Sequence, residues 1–244
     1  MKAILYLAAL LVVVSDSPQC TQDASAVLSQ MTAVGLQSLN SLHDYVWIVD
    51  EHSLIRDEKG KIARNAWRQQ TIVANGQMYS RLLRPGEEPA IPESEADLLS
   101  GYQVAPALYG HCGNIPCGSY PWAFSQLINM PSKWEVRQVR QSNLGEAPAL
   151  VVDLRAKRRY RSALAPITGT AWIDPGSCRL LRLTVVSANP DGDDHQEETF
   201  EFGNIKGNWL PIKRESHSSG KGRVSESTEE YTYLKFGSSV RLRP

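Results

Sequence analysis

Gly169-Thr170-Ala171-Trp172-Ile173-Asp174-Pro175-Gly176, followed by the run from Arg179 to Ser187 (Arg-Leu-Leu-Arg-Leu-Thr-Val-Val-Ser), reads as two strands and the turn between them. β-Branched and aromatic residues crowd both arms, which suits a pleated surface. Pro175 presets φ for a turn and Gly176 tolerates positive φ, so the chain is expected to reverse there.

The same pattern extends in both directions. Residues 197–202, 209–216 and 223–236 read as strands on the carboxyl-terminal side, and 134–141 with 149–157 as a pair on the other. Farther back, 67–74 and 77–84 flank Asn75-Gly76, a strong signal for a two-residue hairpin. Tyr45-Val46-Trp47-Ile48-Val49 opens the series, and Lys59-Gly60-Lys61 punctuates a hairpin after it. About ten strands joined in order, mostly by short turns, predict a mainly β fold: a strongly curved antiparallel half-barrel.

One apolar face of such a sheet needs a cover. Residues 24–42 supply it as one long amphipathic helix, with Val27, Met31, Val34, Leu39 and Leu42 at roughly helical spacing. An insertion at 85–131, proline-bearing and acidic at first and then irregular, is expected to form a second lid. One helix does not fill the concavity of so large a sheet, so an apolar cavity is expected beside it.

The amino terminus reads as an export signal. Lys2 supplies the positive charge, Ala3 to Val14 an uncharged apolar run of about a dozen residues, and small residues follow at two cleavage sites, after Ser15 or after Ala26. The run is shorter than the ~20 residues a membrane-spanning helix needs. Residues 1–26 are thus expected to be a signal peptide and 27–240 a single domain. Cys20 lacks the aliphatic and small residues that lipidation requires before it, since Ser17 and Gln19 stand there.

Export places the four cysteines in an oxidising compartment. Cys112 and Cys117 bracket Gly113-Asn114-Ile115-Pro116 and are the candidates for a local disulfide contributing about 2 kcal/mol on the chain-entropy model. Cys20 and Cys178 remain, and four cysteines permit three pairings. Cleavage after Ala26 would remove Cys20.

Catalytic patterns are missing. There is no Gly-x-Ser-x-Gly elbow, no phosphate-binding glycine loop and no His-Glu-x-x-His helix. The histidines His43, His52, His111, His195 and His217 are scattered. His111 with Cys112 and Cys117 lacks a fourth zinc ligand, and 189–194 lacks the ligand order of a calcium loop, so a solvated turn is expected there. No cofactor and no metal are expected. The basic run from Arg155 to Arg161 reads as a solvated strand end, with peripheral contact to anionic headgroups or an acidic partner as the alternative. The formal net charge of +0 gives no argument for nucleic acid.

Four segments carry a family resemblance: Pro148-Ala149-Leu150-Val151-Val152-Asp153-Leu154, the Gly169 to Pro175 stretch, Leu180-Leu181-Arg182-Leu183, and Trp209-Leu210-Pro211. Together they resemble the LolA/LolB-like superfamily of envelope proteins, in its divergent acidobacterial-type form. The resemblance implies a half-barrel of roughly eleven strands around a helix, with an apolar cavity. It also implies a role in handling lipoprotein acyl chains in the periplasm or at the outer membrane, or in sensing envelope state. The cysteine-bearing insertion departs from that pattern.

The reading that follows is a non-catalytic protein of a Gram-negative-type periplasm or cell envelope. It would bind a lipid, acyl chain or other apolar group, with a lipoprotein or envelope protein as a further partner. Tyr45, Trp47, Tyr79, Trp172, Phe200 and Phe202 are the candidate cavity-wall residues, chosen on strand alternation and aromatic character. An interaction or stress-sensing module of the same fold is the second reading, and a secreted hydrolase the third.

Overall fold

Along the first strand, β1 (Tyr45–Arg56), Tyr45, Trp47 and Val49 face one way and Val46 and Ile48 the other, and all five are buried. A strand buried on both faces needs a layer on each side of the sheet. The computed structural model describes residues 20–40, 45–74, 77–104, 111–112, 115–116, 127, 131–160, 166–188 and 194–236.

In chain order the elements are α1 (Ala24–Asn40), β1, β2 (Ile62–Ala74), β3 (Gln77–Leu83), α2 (Glu95–Gly101), β4 (Gln103–Val104), β5 (His111–Cys112), β6 (Ile115–Pro116), β7 (Trp134–Leu144), β8 (Ala147–Ala156), β9 (Pro166–Ile173), β10 (Leu180–Ala188), β11 (Asp194–Ile205), β12 (Asn208–Gly220) and β13 (Arg223–Phe236). Eleven strands make one antiparallel sheet in the order β4-β3-β2-β1-β13-β12-β11-β10-β9-β8-β7, and β5 pairs with β6 separately. The sheet is therefore the expected meander, closed in sequence by β13 returning beside β1.

Turn chemistry explains the register. Between β11 and β12, Lys206 and Gly207 both take positive φ, and Lys221 and Gly222 do the same between β12 and β13. Two successive positive-φ residues match the right-handed twist of the flanking strands. The turn between β9 and β10 differs from its sequence reading. Positive φ falls on Cys178, at 56°, and not on Gly176. Asp174 organises it, its Oδ1 accepting from the N–H groups of Gly176 and Ser177 at 2.9 and 2.7 Å. A short acceptor side chain that bonds its own backbone two or three residues on competes with the proline–glycine signal and prevails here.

The concave layer is α1. Val27 and Met31 are fully buried against the sheet, while Leu28, Val34 and Leu36 are partly buried around the same core. Burying a side chain the size of Met31 contributes roughly 1.5–3 kcal/mol. Leu42 lies outside the described residues, as does the side chain of Leu39.

The convex layer comes from the insertion. Leu98 of α2 is fully buried with Val46, Ile72, Ala74 and Tyr79, on the opposite side of the sheet from Trp47. Gln70, also fully buried, holds the segment through Ala90 O and Tyr102 Oη. Thus residues 85–104 clamp the outside of the barrel instead of its mouth, whereas Leu127 joins the main core. Most of 105–130 lies outside the described residues.

Candidate functional site

Pairing registers sort the inward-facing side chains into two zones. Near α1 the inner surface is apolar: Tyr45, Trp47 and Val49 of β1, Phe200 and Phe202 of β11, and Leu183 of β10 share one core with Val27 and Met31. Trp47 is ringed by aromatic neighbours, with centroids 5.2 Å from Tyr45, 6.2 Å from Tyr231 and 5.9 Å from Tyr233. Edge-on and tilted packing of this kind adds to the area term. Tyr233 donates its hydroxyl to Pro211 O at 2.9 Å, and burial holds its phenol well above the ordinary range.

Of the six residues picked from the sequence, the fold brings Tyr45, Trp47, Phe200 and Phe202 together on this wall. Tyr79 packs in the convex cluster, because its partner Ile72 stands opposite Val46 and faces outward. Trp172 lies between the core residues Ala171 and Ile173 and so points outward, where Arg182 sits over its ring at 5.6 Å. Aromatic character alone does not assign a face; register does.

Farther along the same strands the inner surface becomes polar. Ser216 stands opposite both Glu198 and Ser227, Ser218 opposite Gln196 and Ser225, and Ser53 opposite Ser227. These side chains share the parity of Phe200, Arg214 and Glu229, which places them inside. A cavity of about 430 Å³ opens at the end of these strands, lined by Ser187, Gln196, Ser218 and Ser225 among others and by no residue of α1.

The two zones meet at an ion cluster. Arg214 donates from Nε to Glu198 Oε1 at 2.9 Å and from Nη1 to Glu229, whose other oxygen accepts from Tyr231 Oη at 2.5 Å. Glu198 and Glu229 hold the Arg214 guanidinium above its already high ordinary pKa, despite the opposing effect of burial. Glu51 faces Glu229 across β1 and β13 and accepts from the Trp67 indole. Burial, and then the Glu229 charge, push its carboxyl up. The sequence reading missed this cluster and the serines. Their signal is parity: every second residue from Arg214 to Ser218 and from Ser225 to Glu229 is polar and inward.

A larger cavity, about 810 Å³, lies at the amino end of α1 between Cys20, Gln22, the 141–150 hairpin and the Pro175-Gly176 turn. Cys20, one of its lining residues, is bonded to Cys178, resolving one pairing that the sequence leaves open. Cys117 lies outside the described residues, so the Cys112–Cys117 pairing does too.

The basic run ends β8. Arg155, Arg158 and Arg159 are exposed, and Lys157 donates from Nζ to Ser132 O at 2.7 Å. His52, His195 and His217 are exposed, with His217 3.7 Å from Glu226. Among the described residues no group of three His, Cys, Asp or Glu is placed to hold a metal. No helix among them is long and apolar enough to cross a membrane.

No protein-family model matches the sequence, and no curated protein does. Solved structures show a likeness of fold. One is a DUF1329 family protein from Desulfovibrio piger, at 9% identity over 89% of this chain and 95% of that one, with a TM-score of 0.45. A LolA superfamily protein from Nitrosomonas europaea is 11% identical over 90% and 97%, with a TM-score of 0.36. A domain assigned to outer membrane lipoprotein sorting in Vibrio parahaemolyticus is 10% identical over 85% and 94%, at 0.43.

Proposed function

We propose that this is an exported, non-catalytic protein of the cell envelope that binds an acyl chain or similar apolar group against the inner wall of the half-barrel, with α1 as the displaceable occupant of that wall. One observation carries the reading. The side chains of α1 that are fully buried, Val27 and Met31, lie in its amino-terminal half near the Cys20–Cys178 bond, whereas Val34 and Leu36 beyond them are only partly buried. The helix is therefore tethered at its amino end and, among the described side chains, less deeply buried toward the other. Swinging that other end outward would bare Trp47, Phe200 and Phe202 to a ligand.

Burial of apolar surface yields roughly 25 cal/mol per Å², and a chain that replaces α1 recovers what its departure forfeits. The exchange is nearly balanced, which suits a carrier that must also release its load. The disulfide supports residence in an oxidising compartment.

Gentle extraction followed by native mass spectrometry tests the proposal. A lipid-sized mass adduct lost on delipidation is expected. Repeated absence of any adduct, with a protein partner captured in its place, would favour the interaction-module reading and overturn this one.

A further inference from the structure

We propose that the polar half of the concave face binds the sugar head group of a glycosylated amphiphile, an inference that rests on the apolar-ligand reading above. Three observations point there.

First, the two faces of the same strands differ in kind. Outward positions on β12 and β13 include long charged groups, Glu215, His217 and Glu226, all exposed, beside the short Ser219 and Thr228. The inward positions between them, Ser216, Ser218, Ser225 and Ser227, carry the shortest hydroxyl side chain. Short side chains at Ser218 and Ser225 leave room for the cavity of about 430 Å³, a volume in the range of small-molecule sites.

Second, the lining is unspent. The hydroxyls of the lining residues Ser187, Ser218, Ser219 and Ser225 make no side-chain hydrogen bond to another described residue. The same holds for the amide of Gln196, also in the lining. Elsewhere the sheet pairs such groups, as in Thr184 with Thr199 at 3.0 Å and Thr170 with Asp153 at 3.1 Å. Hydroxyl and amide groups both donate and accept, so a convergent set of them matches a polyol ring.

Third, the charges where this zone meets the apolar wall are answered within the protein. Arg214 lies between Glu198 and Glu229, and Trp67 donates to Glu51. In the cavity itself Asp194 and Arg223 carry opposite signs, so its charged lining sums to zero and suits a neutral head group. The apolar wall begins at Phe200, directly opposite Arg214, so a head group on the serine floor delivers its chain to Phe200 and Trp47.

The test uses the full mature protein and two surfactants below their micelle concentrations. They are n-dodecyl maltoside and octaethylene glycol monododecyl ether, which share a chain and differ in head group. Binding is read by calorimetry. The maltoside is expected to bind about tenfold more tightly, which corresponds to about 1.4 kcal/mol. In Ser218→Val/Ser225→Val, which alters two lining residues, the preference should fall below about threefold, about 0.65 kcal/mol on the same scale. The outer-face control His217→Ala/Glu226→Ala should keep it. If the valine pair fails to fold, Ser218→Ala/Ser225→Ala serves the same comparison. Equal affinity for both surfactants overturns the sugar inference and leaves the apolar reading standing. Binding of neither overturns both, and maltose alone binding as tightly as the maltoside overturns the amphiphile.

Discussion

Cys20 and Cys178 are bonded across 158 residues of chain, and that bond fixes the amino end of α1 to the turn between β9 and β10. Backbone contacts reinforce it. Cys20 N–H donates to Pro175 O at 2.9 Å, and Thr21 N–H to Gln30 Oε1 at 2.9 Å. Both cysteines are buried, at 7% and 4% exposure, so the bond is part of the core.

Closing a loop this long removes much entropy from the unfolded chain, and loss of the bond should cost about 2–5 kcal/mol. Cys20→Ser and Cys178→Ser are each expected to lower stability by that amount in urea unfolding. The double variant should lose no more than either single one. Additive losses would show that the two residues act independently.

The same geometry bears on export. Asp23 N-caps α1, its Oδ1 accepting from Ser25 N–H at 2.9 Å, and Val27 is fully buried. Cleavage after Ala26 would remove both the cap and the disulfide. We therefore predict cleavage on the amino-terminal side of Cys20, after Ser15. Intact mass of the secreted protein would show this directly, and a chain beginning at Val27 would refute it.

Much of the fold is legible in the sequence because strand alternation and turn residues are local signals. Tyr45, Trp47 and Val49 show their shared face without any partner strand, and Phe200 with Phe202 do likewise. Tyr79 and Trp172 do not, because their faces depend on register with β2 and with β8 and β10. The Cys20–Cys178 pair is equally hidden, since nothing local relates residues 158 apart. The serine floor is visible only once β12 and β13 are aligned, when four separate serines become two cross-strand pairs.

Arg214 offers a sharper test of the boundary between the zones. Its side chain is 23% exposed, and those of Glu198 and Glu229 are 12% and 13% exposed. Removing the cation alone leaves two part-buried carboxylates facing each other, so Arg214→Met should cost about 2–4 kcal/mol. Neutralising all three, as Arg214→Met/Glu198→Gln/Glu229→Gln, should return most of that stability. Denaturant midpoints of the two variants check the ordering.

Glu51 gives a pH dependence with a definite sign. Its folded-state pKa lies above the ordinary 4.5, chiefly through burial and then through Glu229. The folded state thus holds the Glu51 proton more tightly than the unfolded chain does. Ionised Glu51 subtracts from stability at neutral pH, and the penalty is relieved as pH falls through the raised pKa toward 4.5. Glu51→Gln, which can still accept from Trp67, should melt at a higher temperature than the wild type near neutrality. Melting curves should converge as the pH approaches the ordinary carboxylate range.

On the convex side, Gln70 decides whether the insertion stays in place. Its Nε2 donates to Ala90 O at 2.8 Å, and its Oε1 accepts from Tyr102 Oη at 3.0 Å and from Arg81 Nε at 3.3 Å. The residue is fully buried, so truncation strands several polar groups at once. Each stranded group costs roughly 1–3 kcal/mol if water cannot reach it. Arg81 keeps its contact with Glu87 at 2.5 Å, and Tyr102 can still donate to Ala90 O, so the loss should stay near 2–3 kcal/mol. Gln70→Ala should therefore loosen residues 85–104 and α2 before it unfolds the sheet. Limited proteolysis should cut that segment first, and a wild-type cleavage pattern in Gln70→Ala would show that Leu98 packing alone secures it.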